Sequence, residues 1–412
     1  MEYNDLEFRS WRGFCLCSLG GTFPPDAQPV QRAFSPLVLL VTRDPMRSRG
    51  CFAVQSAAEA LEPEDISALL PTAERNVPPA LSDAVQACGG ATVLNTVFTR
   101  AFSYLARPKK TAGLRAVLVG LGDVGGTLLT ALKLLGREFS EIAVFDPNEA
   151  QCARYEMELN QVLSIDGAPL PKITICDERA LFDCDLLLFT ASRGVPPVGT
   201  SVQDVRMAQF ARNREMLDSY AARAREAGFL GQFCQISDPV DPLCRAVFLR
   251  SNQEDRGRFD AKGLLPEQVR GFGLGVMAAR AAYYAEQAQI PFTEGRVYGP
   301  HGAELIVANH PQDYDEARSA FLTERTVTAN LRVRELGFKP YIAPAISSAA
   351  VSILRMLRGE PCYSAIPMGA CYFGCRSRTT QAGVLTERER LHPALLQRIQ
   401  QTQRRLEQFS YD

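Results

Sequence analysis

Three groups of residues in this chain have types and spacings suited to chemistry. The first is Gly120-Leu121-Gly122-Asp123-Val124-Gly125. It directly follows the apolar run Ala116–Val119 and opens an amphipathic stretch, the strand–turn–helix context that a dinucleotide-binding turn requires. Gly120 permits the tight turn, Gly122 lets a diphosphate approach the backbone, and Gly125 allows close helix–strand packing. The unpaired N–H groups of the helix start, Asp123 and Val124 included, then face the phosphates. Asp146 ends the next predicted strand, Glu141–Asp146. A carboxylate there accepts hydrogen bonds from both hydroxyls of an adenosine ribose and repels a 2′-phosphate. No arginine follows in Pro147-Asn148-Glu149. The expected cofactor is therefore NAD rather than NADP.

The second group surrounds His301, in Gly299-Pro300-His301-Gly302. Removing hydride from a C2–H bond needs a base for the hydroxyl proton, a task suited to imidazole. Of the three histidines, His310 lies beyond a predicted strand and His392 precedes the closing helix, so His301 is the candidate. The third group is arginine, whose forked guanidinium holds both oxygens of a carboxylate in one plane. Predicted helices carry arginines of this kind, Arg280 among them. The twelve cysteines offer no metal site. Cys15-x-Cys17 and Cys371-x-x-x-Cys375 are the closest pairs, neither has a second pair at zinc spacing, and no histidine accompanies them. They read as buried, reduced thiols of a cytoplasmic protein.

The elements that position these groups follow from the apolar pattern. With 412 residues, 46% hydrophobic and 22% charged, the chain has the make-up of a globular protein. A net charge of −1 gives no field to draw it to nucleic acid or an anionic membrane. The one compact basic cluster, Arg107-Pro108-Lys109-Lys110, reads as a solvated linker. Leu114–Leu135 is apolar but holds glycines and Asp123, which argues for a buried strand–turn–helix instead of a membrane span. The start lacks the apolar region of a secretion signal.

Residues 1–112 read as a small mixed region of unknown role, with strands at Leu37–Thr42 and Cys51–Val54 and a helix over Leu81–Leu105 interrupted at Gly89-Gly90. Residues 113–262 alternate short apolar runs with amphipathic helices, the pattern of a doubly wound parallel α/β sheet. Its strands fall at 116–119, 141–146, 173–176, 185–190 and 231–236. Residues 263–412 read as an α+β substrate lobe, with helices at 276–287, 313–336, 344–357 and 393–408.

Beyond the glycine-rich turn, the sequence resembles the L-lactate/malate dehydrogenase family over nearly all of the chain after residue 112. Phe189-Thr190-Ala191-Ser192 is similar to the family's strand ending in Thr-Ala-Gly, which touches the cofactor. Arg206-Met-Ala-Gln-Phe-Ala-Arg-Asn213 resembles its Arg-x-x-Leu-x-x-x-Asn. Ile236-Ser-Asp238-Pro-Val-Asp241 looks like its Ser-Asn-Pro-Val-Asp turn, and Gly271–Arg280 resembles its Gly-x-Gly-x-x-x-Asp-x-x-Arg. The resemblance implies a Rossmann fold, NAD, a small 2-oxo or 2-hydroxy acid substrate and a homo-oligomer, dimer or tetramer. It also implies His301 as acid–base, Arg280 as carboxylate clamp and Arg206 as a further substrate contact.

Three positions depart from that pattern. The carboxylate that orients the family's histidine falls on Met277, whose thioether accepts no charge-assisted hydrogen bond; Asp238 or Glu304 is the expected substitute. The turn asparagine that touches substrate is Asp238, whose charge calls for a cation from Arg206, Arg193 or Lys339. The loop Arg193–Val202 is longer than is usual, holds two prolines and is apolar at its centre, which suits a lactate-like acid better than malate. Arg193 is its candidate for polarising the carbonyl. These departures also motivate an alternative, an impaired relative that keeps NAD(H) as a structural or regulatory ligand. A third reading makes residues 1–112 a protein-interaction module.

Overall fold

The computed structural model describes residues 6–194 and 205–411, with side chains from residue 209 in the second stretch. In the N-terminal region short apolar runs become strands: β1 (Phe8–Trp11), β2 (Phe14–Ser18), β3 (Gln28–Val30), β4 (Leu37–Val41), β5 (Cys51–Val54) and β6 (Ala91–Asn95). β2, β4 and β6 run parallel, β5 is antiparallel to β6, and β1 is antiparallel to both β2 and β3. Three short helices accompany them, α1 (Ala57–Ala60), α2 (Pro79–Ala87) and α3 (Ala101–Leu105).

The single helix expected over Leu81–Leu105 is corrected. Gly89 and Gly90 take φ of +69° and +117° and end α2, and Ala91–Asn95 becomes a strand buried on both faces. The apolar run fits burial between β4 and β5 better than one helical stripe.

The next segment supplies β7 (Leu114–Val119), α4 (Asp123–Leu135), β8 (Phe139–Phe145), α5 (Glu149–Asn160), β9 (Lys172–Ile175), β10 (Leu186–Phe189), α6 (Val205–Glu226), β11 (Gln232–Gln235), α7 (Val240–Ser251) and β12 (Val269–Gly271). All six strands are parallel in the order β9-β8-β7-β10-β11-β12, the doubly wound dinucleotide-binding topology. Successive residues serve opposite faces. Leu118 and Leu188 pack with Leu128 and Leu132 of α4, whereas Val117 and Phe189 pack with Phe210, Leu217 and Val247 of α6 and α7. Burial on both faces is why these strands read as unbroken apolar runs. Among the described residues no helix is long and apolar enough to cross a membrane.

The remaining elements are α8 (Leu274–Gln287), β13 (Arg296–Tyr298), β14 (Ile306–Ala308), α9 (Glu316–Glu335), a π-helical segment Pro344–Val351 that continues as α10 (Ser352–Leu357), β15 (Cys362–Met368), β16 (Cys371–Thr380), β17 (Gly383–Thr386) and α11 (Pro393–Glu407). β15 pairs with β12, β16 with β15, and β17 with β16, all antiparallel. β17 then pairs in parallel with β5, Val384 opposite Phe52. The N-terminal region thus joins the rest in one 15-stranded sheet running from β3 to β9.

Buried polar groups seal that junction. The Glu267 carboxylate accepts from the backbone N–H groups of Gly50 (2.9 Å) and Cys51 (3.1 Å), and burial pushes its pKa up to about 7. Thr92 Oγ1 donates to Ala382 O at 2.8 Å. The basic linker is not simply solvated: Arg107 and Lys110 both pair with Asp185, at 2.8 and 3.5 Å.

Candidate active site

At the cofactor turn, the end of β10 presses directly on the glycines. Gly120 has φ of +94°, and a Cβ there would stand 2.7 Å from Ala191 Cα. Thr190 Oγ1 donates to Gly120 O at 2.7 Å. A Cβ on Gly125 would meet Gly120 O at 1.9 Å, so that position needs glycine for packing alone. Gly122 differs, because a Cβ there would meet nothing within 4 Å. The space beside it is open and adjoins the N-terminus of α4. Asp146 Oδ2 accepts from Leu121 N at 2.7 Å and Oδ1 from Asn148 N at 2.9 Å, and each oxygen keeps a lone pair for a sugar hydroxyl. Asp123, which would oppose a diphosphate, is paired with Lys339 Nζ at 2.9 Å. Helix amides at the start of α4, open space beside Gly122 and a carboxylate with lone pairs to spare are a residue set that NAD would fit.

The same strand end is tied to the Asp238 turn by Asn213, which is buried. Its Oδ1 accepts from Arg193 N at 2.9 Å, and its Nδ2 donates to Asp238 O at 2.6 Å. Asn213 therefore sets the distance between the Thr190–Ser192 segment and Asp238, a role carried by the family-like motif but not assigned from sequence. The Asp238–Pro239 peptide is cis.

His301 is fixed on two sides. Its backbone N–H donates to Asp241 Oδ2 at 2.9 Å, and its Nδ1 lies 2.8 Å from Gly273 O. A carbonyl only accepts, so Nδ1 carries the hydrogen and Nε2 of the neutral ring holds the free lone pair. The expectation that Asp238 or Glu304 replaces the orienting carboxylate is corrected. Glu304 pairs with Arg405, and Asp238 faces the opposite nitrogen, with Oδ1 3.6 Å from Nε2. The oriented ring instead leans on an uncharged backbone carbonyl.

That carbonyl has a second donor, Ser348 Oγ, at 2.6 Å. Ser348 also accepts from Val276 N at 2.8 Å. Gly273, the N-cap of α8, has no side chain to cap the helix, so a serine from the π-helical segment caps it from outside. Sequence reasoning passed over Ser348. Its one signal is a pair of serines, Ser347-Ser348, inside an apolar stretch.

Arg280 is largely desolvated, and burial lowers its pKa, with Tyr284 and Asp238 pulling it back up. Among the described residues its guanidinium has one hydrogen-bond contact, to Met277 Sδ at 3.9 Å from Nη1, a poor partner for a cation. A cavity of about 640 Å³ brings Arg280, Met277, His301 and Asp238 together with Val124, at the start of α4.

The other expected cations do not reach Asp238. Arg193 pairs with Glu215 and Lys339 with Asp123, so neither is paired with Asp238, and Arg193 does not line the cavity that holds Arg280 and His301. Residues 195–202 of the loop, and the side chain of Arg206, lie outside the described residues. The other two histidines are engaged in local caps. His310 Nδ1 accepts from Asp313 N at 2.9 Å, and His392 Nδ1 accepts from Ala394 N at 3.3 Å.

No protein-family model matches the chain. It is 28% identical over 197 residues to an L-lactate dehydrogenase of Staphylococcus saprophyticus, covering 47% of this chain and 56% of that one. It is 29% identical over 161 residues to an L-lactate dehydrogenase of Treponema denticola, covering 38% and 47%. The chain thus spans about half the length of these curated relatives. Among solved structures, a lactate dehydrogenase from a Medee basin deep-sea metagenome library superposes with a TM-score of 0.58 at 17% identity, over 72% of this chain and 97% of that one. The malate dehydrogenase of Archaeoglobus fulgidus in complex with NADH gives 0.59 at 16% identity, over 71% and 97%.

Proposed function

We propose, from the premise that this chain is a divergent relative of the lactate/malate dehydrogenases and has their fold, that it transfers hydride between NAD(H) and C2 of a small 2-oxo or 2-hydroxy acid. One observation carries the reading: His301 and Arg280, which makes no ion pair among the described residues, line the same cavity as Val124 at the start of α4. In this reading Gly122, the α4 amides and Asp146 hold the dinucleotide, and Thr190, Ala191 and Ser192 flank it. When bound, NAD supplies the hydride acceptor. Arg280 clamps the substrate carboxylate in its forked plane. The substrate hydroxyl donates to Nε2 of His301, the nitrogen left free by the bond to Gly273 O, and the imidazole takes the proton as hydride leaves C2.

The reading favours a lactate-like monocarboxylate. No arginine occurs between Gly194 and Ser201, and Val327, Leu331 and Phe338 give the cavity an apolar wall. Arg334 also reaches the lining, so oxaloacetate tests that choice against pyruvate and 2-oxoisocaproate. Loss of NADH absorbance with one of these acids is the expected result. His301→Gln should lower kcat by about two orders of magnitude or more while NADH still binds. Turnover unchanged by that substitution would refute the role of His301.

The observation favouring the second reading, an impaired relative that keeps NAD(H) for structure or regulation, is Met277. A carbonyl orients the ring but does not stabilise the imidazolium as a carboxylate does. That reading predicts NADH fluorescence enhancement with no turnover of any acid. Assembly as a homo-oligomer of the family's kind belongs to the same proposal, and light scattering measures it.

A further inference from the structure

We infer that this site takes, and binds more tightly than the hydroxy acid, the corresponding 2-amino acid, with the ammonium between Asp238 and His301 and the carboxylate on Arg280. The inference rests on the proposed reading of Arg280 and His301 and extends it to the group carried on C2.

The argument is one of donors and acceptors. Around the reacting position the protein presents Nε2 of His301, whose lone pair is free because Nδ1–H is committed to Gly273 O. It also presents the Asp238 carboxylate, 3.6 Å from Nε2. An ionised carboxylate only accepts. A carbonyl oxygen placed there meets the Asp238 carboxylate, and the one donor it could use, a protonated Nε2, is shared with that carboxylate. A hydroxyl has one hydrogen and satisfies one of the two. An ammonium has three N–H donors and a positive charge, so it serves both and neutralises Asp238.

Asp238 has no other cation in hydrogen-bonding contact among the described residues. Arg193 and Lys339 are spent on Glu215 and Asp123. Arg280, lining the same cavity, is a part-buried cation beside a thioether, within electrostatic reach of Asp238 but not paired with it. One part-buried positive group and one half-exposed negative group, in one cavity, complement a zwitterion. Met277 fits the same picture. The acid has left the Nδ1 side of the ring and stands on the Nε2 side, where it meets the substrate.

The reaction balances as an oxidation by the nicotinamide dinucleotide. The Cα–H bond breaks with hydride passing to NAD, and one N–H proton passes to Nε2 of His301 as the C=N bond forms. The products are the 2-iminium acid, NADH and a proton, and water then releases the 2-oxo acid and ammonium.

Side-chain-matched pairs test this on the full chain. Calorimetry with NADH present would compare L-alanine with L-lactate, and L-leucine with L-2-hydroxyisocaproate; NADH formation from NAD would be followed for the same four acids. The amino acid of the preferred pair should bind about tenfold tighter or more, the gain expected from two charge-assisted hydrogen bonds. Asp238→Asn should reverse the order and raise reduction of the 2-oxo acid, since its amide donates to the carbonyl oxygen. That variant should fold, because the Asp238 group bonded to Asn213 is its backbone carbonyl. Wild-type protein that binds NADH yet prefers the hydroxy acid overturns this inference and leaves the dehydrogenase reading standing. Protein that binds no NADH overturns both.

Discussion

Ser348→Ala separates the orientation of His301 from the stability of the lobe that holds it. Ser348 is 2% exposed and makes two hydrogen bonds, accepting from Val276 N and donating to Gly273 O. Alanine leaves the Val276 N–H buried without a partner, which costs about 1–3 kcal/mol, the size of a lost N-cap. The melting temperature should fall by a few degrees. It also frees the carbonyl on which the imidazole rests. If the net worth of that second bond, about 1 kcal/mol, is felt in the placement of the ring, kcat falls five- to tenfold or so with KM little changed.

The control is Ser352→Ala. Ser352 Oγ donates to Ser347 O at 3.0 Å in the same segment and does not touch Gly273, so stability should drop while kcat holds. A second readout needs no substrate. With three histidines in the chain, the imidazole ¹H–¹⁵N spectrum is sparse, and the Nδ1–H signal of His301 should broaden in Ser348→Ala and persist in Ser352→Ala. Equal effects of the two substitutions on kcat, or an unchanged Nδ1–H signal in Ser348→Ala, would refute the link through Gly273.

Two further outcomes follow from the geometry. Gly122→Ala adds a methyl group to open space, whereas Gly125→Ala drives one into Gly120 O; the first should keep its melting temperature and lose NADH affinity by fluorescence titration, and the second should lose both. Glu267 has an ordinary carboxyl pKa of 4.5 when unfolded and about 7 in the fold, raised chiefly by burial. Between those values the folded chain binds the extra proton, so stability should fall as pH rises from about 4.5 to 7, by at most ~1.4 kcal/mol per pH unit. Urea melts at pH 5 and 7.5 should show that slope in the natural chain and not in Glu267→Gln.

What could be read from the sequence was whatever side chains announce. Glycines at Gly120, Gly122 and Gly125 declare their backbone needs, and strands buried on both faces, such as Leu114–Val119 and Leu186–Phe189, show as apolar runs. β12, three residues long, is too short to leave a pattern. β6 was hidden inside a run that also fits a helix. The histidine's support was invisible for a different reason. Reasoning from Met277 looked for another acid, but the acceptor is a main-chain carbonyl, which every residue has. Its second donor, Ser348, lies 75 positions away, and nothing local connects the two.

The pairing of β17 with β5 bears on how copies of this chain could meet. An unpaired strand flank is a template for another chain, and the β15–β17 antiparallel unit would offer one if it ended the sheet. Here the molecule has filled that flank from its own N-terminus, so self-association by strand addition is closed off there. The open flanks lie at the two extremities. β3 is three residues long and carries Pro29, which lacks an N–H, leaving β9, Lys172–Ile175, as the more receptive border. Contacts between protomers would then fall to helical surfaces or to that distant rim, and the N-terminal region would act as a shield within each subunit instead of a bridge between them.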